Sequence, residues 1–420
     1  MLKRMSEYSY YAGACLRLYP SHRQKRLIKK NADAARFVYN EMVACSKEIS
    51  SFGSLNIYIK GISERIACLQ ERMKSVTALK AHFLWMDDPE LDANMIANAK
   101  KNYAHAWHCY RQGETTSPPA FRRRTYGQTY QTNPHYHPKR VLRAELTNGS
   151  AGFRDKHHVY IPKLGLMRCK GSRKWMDKLF DMKTVRIGTM TIRRDACGDY
   201  FLSMQLASDQ PFFDVLFHKE DSLGIDLNLC NFYTDSNGET VEMPVRQHLL
   251  ERLKRARRIL SRKAVSCRRK KIMLKNGRNY QKQRQRVARL ERQIKRQRMD
   301  FLHIQSWHLI KNHGVIVAEK LDVRHLLHVS RSRRVIQQAG WQSFLKLLAM
   351  KADNYGRIFL QVEPAYTTQR CSSCGHILPL RKRLKLSQRI WTCPVCHVSH
   401  QRDHNAAQNI LQRGQMLFRV

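Results

Sequence analysis

Residues 11–20 alternate apolar and polar side chains with the period of two that a half-buried strand requires, and the run ends at Tyr19-Pro20. From Ser21, a residue type that caps helices, the period lengthens: Leu27, Ala34, Ala35, Phe37, Val38 and Met42 recur at roughly helical spacing. Helix-like patterning continues to about residue 112, with breaks near Ser51-Phe52-Gly53 and Asp87-Asp88-Pro89. Gly113 to Pro119 has the composition of a linker. From 121 to 210 the texture turns to short β-type runs: Val159-Tyr160-Ile161, Thr184 to Ile187, Met190 to Ile192 and Tyr200 to Leu206. Together these predict a small barrel or sandwich with a helical insertion near its start.

A new pattern begins at Ser222. Leu223-Gly224-Ile225-Asp226-Leu227 reads as an apolar strand carrying one acid, and Phe232 to Gly238 as a hairpin with an Asn-Gly turn. Residues 248–310 read as long basic helices, with 21 Lys and Arg against 3 acids between 251 and 300. One reading is a coiled-coil face; yet unbroken positive charge repels itself unless a polyanion neutralises it. Gly314 to Glu319 is a second buried strand ending in an acid, residues 341–355 are helix-like, and Ile358 to Val362 is a third strand.

Composition narrows the partner. Seventy-seven Lys and Arg against 33 Asp and Glu leave a formal charge of +44 on 420 residues, enough length for two or three domains with cores of their own. Such a charge calls for a polyanion, and release of counterions from phosphates would dominate its affinity. An anionic membrane surface competes as partner, but no apolar run approaches the length that spans a bilayer. Met1-Leu2-Lys3-Arg4 leads into polar and aromatic residues rather than a secretory core. Of twelve cysteines, Cys15, Cys45, Cys68, Cys109, Cys169, Cys197, Cys230 and Cys267 show no framework spacing, as expected of small buried or half-buried thiols in a reducing, cytoplasmic compartment.

The other four cysteines carry chemistry. Cys371-Ser372-Ser373-Cys374 and Cys393-Pro394-Val395-Cys396 are two CxxC pairs separated by 18 residues, the pattern of a structural four-thiolate Zn²⁺ site. His376 or His397 could stand in for one thiolate. Seven residues after Cys396, Asp403 opens Asp403-His404-Asn405-Ala406-Ala407 at a predicted helix start. Asp226, Glu319 and Asp403 thus sit within or at the ends of apolar elements, where an unpaired acid costs several kcal/mol. Each either caps an element or pairs with an arginine, or the three converge on Mg²⁺ or Mn²⁺. Hard cations take oxygen ligands, and two of them roughly 3.5–4 Å apart activate water and stabilise a leaving oxygen.

The order of these motifs resembles the TnpB family of transposon-encoded RNA-guided nucleases, related to compact type V CRISPR effectors. The resemblance extends over most of the chain. It is carried by Arg17-Leu18-Tyr19-Pro20 with Arg36-Phe37-Val38-Tyr39-Asn40, by Ile161 to Gly165, by Gly224-Ile225-Asp226, and by Arg298 to Leu302. Val317 to Leu321, Tyr366 to Cys371 and Arg402 to Ala407 complete it. It implies an α/β multidomain fold: an RNase H-like RuvC nuclease domain with a zinc-ribbon insert, preceded by a β-barrel wedge domain carrying a helical recognition insertion. Residues 1–20 would be the first wedge strand, 21–120 the recognition helices, 121–218 the wedge barrel and 219–420 the RuvC domain, with its ribbon at about 366–400.

By the same resemblance, Asp226, Glu319 and Asp403 are the catalytic, Mg²⁺-binding acids and Cys371, Cys374, Cys393 and Cys396 the Zn²⁺ ligands. A guide RNA and double-stranded target DNA with a short adjacent motif are the partners, and the chain acts as monomer or homodimer in a prokaryotic cytoplasm, at the nucleoid. The expected activity is RNA-guided DNA endonuclease. The alternatives are an RNA-guided regulator that does not cleave and a guide-free DNA-binding accessory to transposition.

Three residues depart from the family pattern: Asn228 and His397 stand where glycine is common, and Gln401 where aspartate is. Asn tolerates left-handed backbone, so the turn at 228 is expected to persist. Arg402 either meets the scissile phosphate or holds Asp403. Basic residues of the spacer (Arg381, Lys382, Arg383, Lys385) either touch nucleic acid or form a solvated hairpin. Tyr103, Trp107, Tyr110 and Arg111 either stack on a heteroduplex end or belong to a core. His135 and His137 lie between prolines in a loop-like stretch, where a metal would find no further ligand nearby.

Overall fold

The computed structural model describes residues 3–418 apart from 55–60, 124–126, 137–145, 147–148, 183–184, 218, 229, 245–246, 323–325, 327–332, 380, 382 and 386. His137, Thr184 and Lys382 of the sequence reading lie outside the described residues. The chain forms two compact units, Met1–Phe212 and Phe213–Val420.

In the first unit the alternation at the N-terminus becomes strand β1 (Tyr10–Tyr19), with Ala14, Leu16 and Leu18 buried. Ser21 then caps helix α1 (His22–Gly53): its hydroxyl accepts the Gln24 N–H while Gln24 Oε1 accepts that of Ser21. Helices α2 (Ile62–Lys74), α3 (Val76–His82) and α4 (Ala93–Arg111) follow before the chain returns to sheet. Strands β2 (Gln128–Thr132), β3 (Gly152–Asp155), β4 (His158–Ile161) and β5 (Gly165–Lys170) precede helix α5 (Arg173–Asp181), and β6 (Val185–Arg194) and β7 (Tyr200–Ser208) follow it. All seven strands make one antiparallel sheet in the order β2-β6-β7-β1-β5-β4-β3.

Two β-runs expected at 184–187 and 190–192 are one strand, β6, interrupted by a register shift between Ile187 and Met190. Among the described residues the edge strands β2 and β3 do not pair, so hydrogen bonding gives an open sheet where a closed barrel or sandwich was expected. Period-two patterning fixes which side of a strand is buried; it does not decide closure. The Arg36–Asn40 motif also has a local role. Asn40 exchanges two hydrogen bonds with the backbone of Arg122, whose guanidinium lies 3.5 Å from the Tyr39 ring centre.

The second unit is built on β8 (Ser222–Asp226), β9 (Tyr233–Asp235) and β10 (Thr240–Val241), then β11 (Val315–Glu319) and β12 (Ile358–Val362). Their order is β10-β9-β8-β11-β12, with β8, β11 and β12 parallel and the β9–β10 hairpin antiparallel at one edge. Gly238, at φ 90°, makes the hairpin turn that the Asn-Gly pair predicted. Helices α6 (Gln247–Arg269) and α7 (Arg278–Asn312) form the basic pair. Leu249, Leu253 and Ala256 meet Val287 and Leu290 along a narrow seam, which leaves most basic side chains outside. Helices α8 (Arg333–Ala339) and α9 (Trp341–Tyr355) precede β12.

Alternate residues of the parallel strands serve opposite faces. Leu223, Ile225, Ile316 and Ala318 pack with Phe344 and Leu348 of α9, whereas Val317 and Val362 pack with Ile410. Ile410 belongs to the last helix, α10 (Arg402–Phe418), which follows the small hairpin β13 (Ile390–Thr392) and β14 (Ser399–Gln401).

Helix α10 lies unusually close to the sheet. A methyl group added at Gly224 would fall 2.3 Å from the Ala407 carbonyl oxygen and 2.8 Å from the Leu411 backbone nitrogen. One at Gly414 would fall 2.4 Å from Val317 Cγ2. The glycine of the Gly-Ile-Asp motif and Ala406 and Ala407, both fully buried, are therefore two halves of one contact. Gly224→Ala cannot be absorbed by a side-chain rotation, because the obstacle is backbone. It is expected to destabilise the second unit by roughly 3 kcal/mol, or about 6–12 °C in melting temperature; an unchanged melting curve would contradict this packing.

Candidate active site

The contact between α10 and β8 determines where three acids lie. Asp226 ends β8, and Glu319 ends the adjacent parallel strand β11, one position beyond the paired residues Ile225 and Ala318. Asp403 stands in the first turn of α10. All three are buried, at 6, 8 and 9% exposure. Burial pushes the Asp226 carboxyl well above the usual carboxylate range, and the charges of Glu319 and then Asp403 push it further, against Arg402 and a hydrogen bond from Asn228. Burial also raises Glu319, partly offset by the Thr367 hydroxyl and by Arg413.

The three predicted acids thus share one electrostatic neighbourhood. Buried oxygen donors of which two repel the third suit a hard divalent cation, which would remove that repulsion. Their oxygens are more widely spread than those of the thiol cluster: among the described residues, only the four cysteine sulfurs form a ligand group within 4.8 Å of one another.

Several partners were not legible in the sequence. The Thr367 hydroxyl donates to Glu319 Oε1, and Asn409 Nδ2 donates to the Thr367 carbonyl at 2.9 Å. Arg389 reaches Asp403 at 3.2 Å and also donates to Cys230 Sγ at 2.6 Å. The arginine that holds Asp403 is therefore Arg389, fourteen positions before it, and not the adjacent Arg402, which donates to the Lys385 carbonyl at 3.1 Å. Asn228 is corrected as well: its backbone is not left-handed. Its side chain orders the turn instead, accepting the Asn231 N–H at 2.8 Å and donating to Thr234 Oγ1 at 3.1 Å.

The thiol cluster consists of Cys371, Cys374, Cys393 and Cys396, as predicted. Cys371 and Cys396 sulfurs are 3.6 Å apart, as are those of Cys374 and Cys393. Both knuckles turn alike: the Gly375 N–H donates to the Cys371 carbonyl and the His397 N–H to that of Cys393. Gly375 and His397 both have positive φ, of 78° and 60°, so the position where glycine is common keeps glycine's conformation at a cost of about 1 kcal/mol. Burial raises the Cys393 thiol, but the backbone N–H groups of Cys396 and Val395 together with the Cys374 and Cys396 thiols outweigh it and hold the group below its usual value. Four soft, close sulfurs fit tetrahedral Zn²⁺. Neither His376 nor His397 belongs to the group; the histidine that touches it is His400, 3.0 Å from Cys371 Sγ.

Helix α10 joins cluster and acids. Asn405 accepts the Ser372 N–H and donates to the Arg370 carbonyl, Asn409 donates to Arg370 and Thr367, and Gln412 donates to the Ser372 carbonyl. Residues four apart on one helix face thereby hold the first knuckle against the turn that carries Asp403.

The basic surface of this unit includes a cleft of about 510 Å³ on α6 and α7, lined by Lys254, Arg257, Arg258, Lys295 and Arg298 over Leu250 and Ile294. In the other unit Tyr103 is buried, as a core residue, whereas Tyr110 is 37% exposed. Of the scattered cysteines, Cys45 and Cys169 are buried, but Cys15, Cys68 and Cys230 are exposed, contrary to expectation. Among the described residues no helix is long and apolar enough to cross a membrane.

Family models match three stretches: "Cas12f1-like, TNB domain" over residues 341–410, "Probable transposase" over 217–330 and "Helix-turn-helix domain" over 12–49. A protein of Escherichia coli (strain K12), provisionally named RNA-guided DNA endonuclease InsQ, is 28% identical over 431 residues, covering 98% of this chain and 93% of the relative. The chain resembles the TnpB family. A second relative, from Streptomyces pristinaespiralis and provisionally named RNA-guided DNA endonuclease, is 34% identical over 228 residues; that match covers 54% of this chain and about half (52%) of the relative. The fold also resembles the protein of a solved Cas12f1-sgRNA-target DNA complex, with a TM-score of 0.52 at 12% identity over 96% of this chain and 98% of that one. The segment matched as helix-turn-helix is, in this chain, most of β1 and one continuous helix.

Loss of zinc is expected to release the knuckles and, through Asn405 and Asn409, the first turn of α10. Chelation or Cys393→Ser should raise hydrogen exchange across 366–403 on the order of tenfold or more while the first unit keeps its protection. Unaltered exchange in that segment would show that the thiols hold no structural metal.

Proposed function

We propose that this chain is an RNA-guided, metal-dependent DNA endonuclease whose second unit is a RuvC nuclease of RNase H-like fold with a zinc-ribbon insert. The first unit would then combine a wedge sheet with recognition helices α1–α4. The reading rests above all on the convergence of Asp226, Glu319 and Asp403, buried together so that two of them raise the third. Mg²⁺ or Mn²⁺, when held by these carboxylates, would supply an acidified water and offset charge on the leaving oxygen.

The chain's own residues do the rest. Thr367 fixes the rotamer of Glu319, Arg389 orients Asp403, and the apolar strands keep the carboxylates out of bulk water, which strengthens their field. Hydrolysis adds water to phosphorus and breaks the P–O3′ bond, leaving 5′-phosphate and 3′-hydroxyl ends. Guide–target pairing would supply sequence recognition, and the Lys- and Arg-rich surface would grip backbone phosphates. The protein acts as monomer or homodimer.

Reading of the adjacent motif falls in this account to the first unit. A cleft of about 340 Å³ between α4 and the sheet is lined by Asn98, Asn102, Gln131, Thr191, Ser203 and Gln205. The Asn98 Nδ2 atom is buried without an acceptor. Carboxamides offer the paired donor and acceptor that base edges require. Asn102→Ala should relax the motif preference without altering the ends produced, and an unchanged preference would remove the cleft from this role.

For the nuclease itself, Asp226→Ala, Glu319→Ala and Asp403→Ala should each retain guide RNA and target binding while plasmid cleavage in Mg²⁺ falls by at least about a thousandfold. Full cleavage by the Asp226→Ala protein would overturn the assignment.

A further inference from the structure

The last turn of α4 gathers metal-binding side chains that neither the core nor the nuclease reading uses. His105, His108 and Cys109 stand three and four positions apart and so share one helical face. Trp107 and Arg111 lie on the opposite side, where the guanidinium is 5.9 Å from the indole ring centre. Gly113, at φ 70°, then reverses the chain. Its N–H donates to the Tyr110 carbonyl and the Glu114 N–H to that of Cys109, the paired bonds of a Schellman ending. That reversal returns the Glu114 carboxylate to the Cys109 thiol.

Cys109 Sγ and His105 Nε2 are 3.5 Å apart. Zinc bonds of about 2.3 Å to sulfur and about 2.0 Å to nitrogen, at a tetrahedral angle, set the two donors roughly 3.5 Å apart as well. A hydrogen bond to Glu114, and then burial, push the Cys109 thiol above its usual value. Glu114 also brings negative charge to the negative end of the helix dipole, a cost that a cation there would remove. The His108 ring lies within 20° of parallel to that of His105, 6.4 Å away between centres. Unlike the ribbon sulfurs, His105, Cys109 and Glu114 do not all lie within 4.8 Å of one another. Rotation of the exposed Glu114 side chain would close the set.

We propose that His105, Cys109 and Glu114 form a Zn²⁺ site separate from the four-thiolate cluster, with water as the fourth ligand. One sulfur, one imidazole and one carboxylate make a borderline donor set, which selects Zn²⁺ over the hard Mg²⁺ or Mn²⁺ that suits the three acids. On binding, the thiol releases its proton to solvent and the thiolate takes the ion, while Glu114 turns from the thiol proton to the metal. The ion would thereby staple the start of the 113–119 linker to the last turn of α4. It would fix where the chain leaves the helix on its way to Arg122, whose backbone Asn40 already holds.

The test uses the full-length protein with its thiol cluster loaded and free Zn²⁺ set by a metal buffer. Alkylation by N-ethylmaleimide is followed at each cysteine by peptide mass spectrometry, which separates Cys109 from the ribbon thiols. Zn²⁺ should slow alkylation of Cys109 by the factor 1 + [Zn²⁺]/Kd, roughly tenfold at about ten times Kd. Cys68, which is also exposed, should react at an unchanged rate and serves as the internal control. His105→Ala and Glu114→Gln should each raise the Zn²⁺ needed for protection by at least roughly tenfold. His105→Cys, which returns a donor to that position, should restore protection and so exclude misfolding as the cause. Amide exchange over 112–116 should slow with Zn²⁺ in the unaltered chain alone among the unaltered and His105→Ala proteins.

A Cys109 alkylation rate indifferent to Zn²⁺ would overturn the proposal. Protection that survives His105→Ala would do the same, since it would mean an ion held by the thiol alone, and so would equal protection by Mg²⁺. No cleavage is read and no nucleic acid is present, so the outcome stands whether or not the acids form a nuclease centre.

Discussion

Everything at the candidate centre depends on how closely α10 approaches β8. The distance is set by Gly224 on the strand against the Ala407 and Leu411 backbone of the helix, and Gly414 lets the same helix approach Val317 of β11. Were either surface larger, the helix would stand off and Asp403 would leave the neighbourhood of Asp226 and Glu319. Small residues here are a geometric condition for bringing a helix-borne acid to the ends of two parallel strands. The electrostatic cost of that arrangement is visible in Asp226, whose carboxyl is raised by burial and by both other acids. A functional site that stores repulsion in this way is stabilised by whatever cation it binds.

The thiol cluster belongs to the same construction. Asn405 and Asn409 face the first knuckle while the preceding turn carries Asp403. Thr367, at the entrance to the cluster, orients Glu319 and is itself held by Asn409. Arg389, just before β13, reaches Asp403. Two of the three acids are therefore oriented by residues in or next to the thiol cluster, so the cluster and the carboxylates are structurally linked.

Much of this was legible in the chain. The strand at 223–227, the helix at 341–355 and the four thiolates follow from patterning and spacing, because apolar period and CxxC geometry are local properties. Asp226 and Glu319 could be singled out because each lies within or ends an apolar run, and Asp403 because it opens a helix just after the second knuckle. What could not be read was long-range. Arg389 sits in a basic spacer where no periodicity marks one arginine above its neighbours. Arg402, adjacent to Asp403 in sequence, faces Lys385 instead because successive helical residues point in different directions. Sheet closure and the side-chain turn at Asn228 likewise depend on tertiary contacts, which override local preference.

The central claim is that an RNA directs the carboxylate centre to its target. The most direct measurement sequences the RNA that accompanies the protein, replaces the segment complementary to a chosen site, and maps the cuts on a plasmid in Mg²⁺. The account predicts that the cut position moves with the replaced segment and disappears when the RNA is omitted. Cuts that stay in place whatever the RNA, or that persist without it, would contradict it.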